Sequence, residues 1–350
     1  MSAPLPAVVA IDGGNSKSDL ALVAADGTLL GSARGLGMDN AASLDVTLPL
    51  LTALIGQAQQ QAGLAGFPVA RHLCACVANA DLPQEQETLA AALRAQGWSE
   101  TTTLVNDTFA VLRAGLTACP AAPGQPRWGV GAVCGAGINC VGVAPDGRTT
   151  GFLALGSITG DWGGGNGLGR AALWWAMRAE DGRGPQTALA GAVAAYYRAG
   201  SVEEVAAGIH LGTIGKESLR GLAPLVLALG SDGDEVAARL VRRQADEICA
   251  MVLTVMRRLD LTGLATPVVL GGGILAARDP LLTARIIDTI TATAPRAEMR
   301  ITDVPPVAGA ALMGLDYLDA GPEAERRLRA AYADRTGLSD AHGAARSPQP

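Results

Sequence analysis

Short apolar runs alternate with glycine-rich interruptions along this chain, and their spacing predicts its elements. Residues 7–11 are apolar and stop at Asp12-Gly13-Gly14; residues 18–24 carry a second apolar run, and Asp26-Gly27 leads into a third at 28–33. Apolar runs of this length bounded by turn residues predict strand, glycine-rich turn, strand, tight turn, strand. The arrangement returns at 129–133, Cys134-Gly135-Ala136-Gly137-Ile138-Asn139, 140–143 and Asp146-Gly147. The two halves therefore read as versions of one unit.

Between the copies, helical spacing predicts a helix over 47–62, a buried strand over 71–79, a helix over 85–96, and a strand at 103–105 ending at Asn106-Asp107 before a helix over 109–115. After the second copy, a polar glycine-rich stretch (155–165) precedes an apolar helix over 171–177. The strongest helix is 235–259, where Val236, Leu240, Val241, Ile248, Val252, Met256 and Leu259 form one stripe. A buried strand at 266–270 runs into Gly271-Gly272-Gly273, and residues 308–318 predict a closing helix. The Ser, Gly, Pro and Ala content from 336 to 350 predicts a disordered tail.

At 350 residues the chain exceeds one typical domain, so two lobes are expected. Apolar residues make up 49% and aromatics only 3%, which predicts ordered cores of Ala, Val and Leu. A net charge of −6 argues against a nucleic-acid or anionic-membrane partner, since both attract cations. No apolar run is long enough for a bilayer and no signal-peptide pattern opens the chain, so a cytoplasmic protein is expected. Six cysteines in such a chain read as reduced, packed thiols, and Cys74-x-Cys76 lacks the second ligand pair a zinc site needs.

Three places carry candidate chemistry. Asp12-Gly13-Gly14-Asn15-Ser16-Lys17-Ser18 returns directly into a strand, unlike a P-loop, and its glycines let backbone approach phosphate. Lys17, Ser16 and Ser18 add a cation and donors, and Asp12 suits a hydrated magnesium ion; the segment also fits a plain polar hairpin. Asn106-Asp107-Thr108, at a strand end before a helix, fits a helix cap. Phosphoryl transfer also needs a carboxylate that accepts the hydroxyl proton near the γ-phosphate, and Asp107 fits that role. In the third stretch Asp161 suits sugar hydroxyls, and Trp162 suits either an apolar sugar face or the core. His72, His210 and His342 stand apart from these loops and suggest no histidine mechanism.

In this order and spacing, Asp12 to Lys17, Asn106-Asp107, Cys134 to Asn139, Gly160-Asp161-Trp162-Gly163-Gly164-Gly165 and Leu270 to Gly273 resemble the sugar kinase, heat-shock protein 70 and actin superfamily. The resemblance lies with its N-acetylglucosamine kinase and BadF/BadG/BcrA/BcrD ATPase branch and covers about 8–318. It implies an α/β fold of two ribonuclease-H-like (actin-like ATPase) lobes with an interdomain cleft. The first would be 1–117 plus a closing helix at about 308–333, and the second 118–307. It implies ATP and Mg2+ as cofactors, with Gly13, Gly14, Asn15, Ser16 and Lys17 and then Gly135, Ala136 and Gly137 at the phosphates. Gly271, Gly272 and Gly273 would lie at the adenosine and Asp12 at the metal. Asp107 would be the general base, and Asn40 (or its neighbour Asp39), Asp107, Asn139, Asp161 and Trp162 would meet the sugar.

Trp162 follows Asp161 where N-acetylglucosamine kinases often carry Glu, and the 160–165 stretch with 180–185 downstream is similar to bacterial glucosamine kinases. The implied activity is phosphorylation of the 6-hydroxyl of glucosamine or N-acetylglucosamine, and the resemblance leaves room for a homodimer. Two alternatives stand beside it. One is an ATPase that activates a reductase through an iron–sulfur cluster, for which Cys134 and Cys140 are the loop cysteines. The other is a nucleotide-switched sugar-binding protein.

Overall fold

The computed structural model describes residues 6–38, 44–78, 80–116 and 127–343, with side chains through 334. The chain divides into two compact units, Met1–Arg127 with Thr302–Pro350, and Trp128–Ile301. The first crossing thus falls after Arg127 rather than after 117. Arg127 is tied to its own unit by a 3.1 Å ion pair with Glu325.

The first unit opens with β1 (Pro6–Gly13), β2 (Lys17–Ala24) and β3 (Leu29–Leu36), followed by α1 (Leu44–Ala62), β4 (Ala70–Val77), α2 (Pro83–Ala95), β5 (Ser99–Asn106) and α3 (Asp107–Gly115). The sheet order is β3-β2-β1-β4-β5; β1 to β3 are antiparallel, and β4 and β5 run parallel to β1. Every residue of β1 is buried, as an uninterrupted apolar run between two neighbours requires. Alternate side chains leave opposite faces. Val9 and Ile11 pack with Leu51, Leu54 and Ile55 of α1, each such side chain contributing roughly 1.5–3 kcal/mol.

The second unit contains β6 (Gly129–Cys134), β7 (Ile138–Val143) and β8 (Thr149–Thr150). Then come α4 (Gly164–Glu180), α5 (Leu189–Tyr197), α6 (Val202–Leu211), α7 (Ala223–Ser231), α8 (Glu235–Arg258), β9 (Pro267–Gly271), α9 (Gly273–Ala276), α10 (Pro280–Thr293) and β10 (Glu298–Ile301). Its order, β10-β9-β6-β7-β8, repeats the first sheet strand for strand, with the same parallel and antiparallel pairs. Even the turns match: Thr28 N donates to Asp26 Oδ1 at 3.0 Å, and Arg148 N donates to Asp146 Oδ1 at 3.0 Å. The protein is therefore α/β, built from two ribonuclease-H-like units. Between β8 and β9 the second unit has α4 to α7 before α8, where the first unit has α1 alone between β3 and β4.

The chain returns to the first unit with α11 (Pro306–Tyr317) and α12 (Pro322–Gly343). Ala308, Ala311 and Leu312 cover Val8 and Ala10 on the other face of the sheet. Gly309 lets α11 meet α3 closely, since a Cβ there would lie 1.9 Å from the Ala110 carbonyl oxygen. Arg113 of α3 joins the same layer through Asp316 (2.6 and 3.0 Å) and Glu325 (2.9 Å twice). Helix α12 continues past 336, where the disordered tail was expected to begin. Gly337 costs a helix only about 1 kcal/mol, and the prolines that stop one come later; residues 344–350 lie outside the described set.

Candidate active site

In the first unit, the candidate residues gather at the ends of β1 and β5. The β1–β2 hairpin is held by Gly14 N donating to Lys17 O (3.0 Å), Met38 N to Gly14 O (3.0 Å) and Ala78 N to Gly13 O (2.7 Å). Asn15, Ser16 and Lys17 are exposed at its tip, whereas Ser18 is fully buried. Ser18, expected as a phosphate donor, is thus removed from that role because its position on β2 turns its hydroxyl into the core. Lys17 Nζ lies 3.2 Å from Asp19, which Arg34 also clasps at 2.6 and 3.0 Å. The Lys17 charge is therefore shared with Asp19.

Asp12 is buried directly opposite Asp19 across the strand pair, and like charges so placed repel. No hydrogen bond to its carboxylate forms among the described residues. Burial, then the charges of Asp107 and Asp19, push Asp12 up to about 7 against the pull of Lys17 and Arg34. A buried carboxylate without donors, beside another carboxylate, suits a hard divalent cation. No group of three or more His, Cys, Asp or Glu side chains that could hold a metal occurs among the described residues. A cation at Asp12 would complete its shell with oxygens from water and phosphate.

Asp107 is the first residue of α3, and the cap belongs to its neighbour. Asn106 Oδ1 accepts from Thr108 N at 3.0 Å, and Asn106 Nδ2 donates to Asp81 at 2.7 Å. Asp107 is thereby released from the capping role that its position alone suggested. Its half-buried carboxylate is pushed up to about 6 by burial, partly opposed by hydrogen bonding from Thr108. A carboxylate with that value is largely ionised at neutral pH and basic enough to take a proton.

In the second unit, the Gly135-Ala136-Gly137 hairpin bonds internally, Gly135 N to Gly137 O at 3.0 Å, and receives the start of α4. Gly165 N donates to Gly135 O (2.8 Å), Asn166 N to Ala136 O (3.0 Å) and Gly164 N to Gln244 Oε1 (2.8 Å). Gly164 adopts φ +66°, and a Cβ there would lie 2.5 Å from Gly137 O. The glycines read as a loop are thus partly the docked first turn of a helix. Asn139, on β7, accepts from Cys140 N at 2.7 Å. Gly271 ends β9, Gly272 caps α9 and Gly273 starts it.

Asp161 accepts from Thr159 Oγ1 at 2.7 Å. Trp162 carries the Arg243 guanidinium over its ring at 4.0 Å. Both residues border a cavity of about 630 Å³ and a second of about 210 Å³, so Trp162 faces open space as well as core. The larger cavity also reaches Gly137, Arg170, Trp174, Trp175 and Arg243, the last four of which sequence reasoning missed. Asn166, Arg170, Trp174 and Arg178 recur every fourth residue of α4, a spacing that places them on one face. Asn40 and Asp39 lie outside the described residues. Cys134 and Cys140 are buried, which pushes Cys134 up to about 12 and Cys140 higher still.

Residues 9–314 match the family described as the BadF/BadG/BcrA/BcrD ATPase family. The N-acetylmuramic acid/N-acetylglucosamine kinase of Clostridium acetobutylicum is 25% identical over 269 residues, 77% of this chain and 85% of that protein. A solved structure from Chromobacterium violaceum, provisionally named an N-acetylglucosamine kinase, aligns with TM-score 0.68 and 22% identity over 89% of this chain and 99% of its own. Another so named, from Porphyromonas gingivalis, aligns with TM-score 0.63 and 18% identity over 89% and 99%. These two likenesses show the shared fold. Among the described residues, no helix is long and apolar enough to cross a membrane.

Proposed function

This chain belongs to the BadF/BadG/BcrA/BcrD ATPase family, and from that membership we propose that it is an ATP-dependent amino-sugar kinase acting on the 6-hydroxyl of glucosamine or N-acetylglucosamine. The observation that carries the reading is Asp107, a half-buried carboxylate freed from capping by Asn106 and standing beside Asp12. The name of the Clostridium acetobutylicum relative supports the acceptor class.

In this mechanism the sugar 6-oxygen attacks the γ-phosphorus, the bond from that phosphorus to the bridging oxygen breaks, ADP leaves, and the hydroxyl proton passes to Asp107. Asp12 would hold magnesium, which when bound offsets phosphate charge. Backbone and side-chain donors at Gly13, Gly14, Asn15, Ser16 and Lys17, and at Gly135, Ala136 and Gly137, are the proposed phosphate ligands, with Gly271 to Gly273 at the adenosine. Asp161, Asn139 and Trp162, with Asn40, are the proposed sugar ligands. Burial of Cys134 and Cys140 weighs against the iron–sulfur alternative, which needs accessible thiolates.

The test is ADP release from ATP and magnesium with glucosamine, N-acetylglucosamine, N-acetylmannosamine, glucose or no sugar. Release that depends on an amino sugar is expected. ATP hydrolysis indifferent to every sugar would reject the kinase in favour of a nucleotide-switched binding protein.

A further inference from the structure

Aspartate and asparagine cap helices about equally well, so the cap on α3 does not by itself account for an amide at position 106. The amide meets a second demand. Its oxygen accepts from Thr108 N at 3.0 Å, while its Nδ2 donates to Asp81 Oδ1 at 2.7 Å. A backbone N–H can only donate and an ionised carboxylate can only accept. The side chain between them must therefore be an acceptor at one end and a donor at the other. Asn106 is buried, and a bond to a charged acceptor is the stronger kind. Asp81 thereby fixes which end of the amide faces the helix.

Asp81 is itself held in place. Glu85, in the first turn of α2, accepts from Asp81 N at 3.2 Å and from Leu82 N at 3.0 Å, and Gln86 Nε2 donates to Ala80 O at 2.8 Å. Ala78, just after β4, donates its N–H to Gly13 O at 2.7 Å. Val77, which ends β4, lies in register with Asn106, which ends β5. The connection from β4 to α2 thus meets the glycine hairpin through Ala78 and the start of α3 through Asp81. Supporting bonds of this kind are what hold a reacting group within about 0.5 Å of its working geometry.

Resting on the amino-sugar kinase reading, we propose that Asp81 is a positioning residue for phosphoryl transfer, acting through Asn106 to keep the Asp107 carboxylate out of the helix cap. Without Asp81, the Asn106 amide can turn over and set its NH2 against Thr108 N, donor to donor. Thr108 N is then open to the Asp107 carboxylate beside it, whose Oδ1 already lies 3.4 Å from Thr108 Oγ1. A carboxylate engaged by helix N–H groups is a weaker proton acceptor.

The test measures kcat and KM for sugar-dependent ADP release by the full chain, per folded protein, with urea unfolding alongside. Asp81→Ala deletes the acceptor, and Asn106→Asp faces two carboxylates. Each is expected to lower kcat about 10–100-fold, with KM for ATP and for sugar within about threefold of wild type. The exchange variant, Asp81→Asn with Asn106→Asp, restores an amide-to-carboxylate bond, an acceptor for Thr108 N and the same total charge. Its kcat is expected to return to within about threefold of wild type. Should Asn106→Asp not fold, Asp81→Ala against the exchange variant carries the same comparison. A lower urea midpoint with kcat per folded protein unchanged would make the contact merely structural and overturn the proposal. So would an exchange variant as slow as the single ones, or a raised sugar KM at unchanged kcat, which would make Asn106 a sugar ligand. Wild-type protein that releases no ADP with any amino sugar rejects the kinase reading and the positioning role with it. Sugar-dependent release indifferent to these variants rejects the positioning role alone.

Discussion

Asp107 and Asp12 are carboxylates that their surroundings make reluctant to ionise, and both consequences can be measured. Because the base must be unprotonated, kcat/KM should rise with pH through an acid limb near 6–7, set by Asp107 at about 6 and Asp12 at about 7. A profile between pH 4.5 and 9 checks this, and a limb near 4 would contradict it. For stability the sign is opposite. The folded state holds the Asp12 proton more tightly than the unfolded state, whose value is near 3.8, so stability is lost as pH rises from about 4 to 7. Thermal melts of ligand-free protein should show that loss reduced in Asp12→Asn. From sequence, Asp107 was legible as a cap or as a base, because either carboxylate or amide satisfies a helix start. The hydrogen bond from Thr108 N to Asn106 gives the cap to Asn106 and leaves the Asp107 carboxylate outside that role. The Arg243–Trp162 contact was not legible at all, since its two partners lie far apart in the sequence.

Helix α3 carries Asp107 at one end and Arg113 near the other, and Arg113 is clasped by Asp316 and Glu325. Removing one partner of a buried ion network strands the others, so Arg113→Ala should lower stability by about 3–5 kcal/mol in urea unfolding. A loss below 1 kcal/mol would mean the network is solvated. On α4, Gly164→Val should disturb the docked first turn and weaken sugar affinity, which a sugar titration followed by the fluorescence of Trp162, Trp174 and Trp175 would register as a rise in Kd. Helix α8 was readable almost to the residue because its apolar stripe is long and one-sided. Helices α5 and α7 were not, since nearly every position is apolar or small and no stripe emerges. Two misses had usable signals: Ser201 and Gly212 bracket α6, and Asp279-Pro280 opens α10.

At the scale of the whole molecule, the internal repeat was the most informative sequence feature. Two glycine hairpins with matching Asp-Gly turns foretold two sheets of identical strand order. The repeat could not foretell helices α4 to α7, which have no counterpart between β3 and β4 of the first unit, nor the Arg127–Glu325 bond that ties Arg127 to the first unit. Nor does a repeat specify an acceptor, which is why glucosamine and N-acetylglucosamine are separated by assay. The central claim is that sugar-dependent phosphoryl transfer uses Asp107 as base. Its most direct test is the sugar-dependent ADP release rate of Asp107→Asn against wild type at saturating ATP and sugar. The account predicts a fall of about 10²–10⁴-fold with nucleotide affinity retained, and a rate within a few-fold of wild type would contradict it.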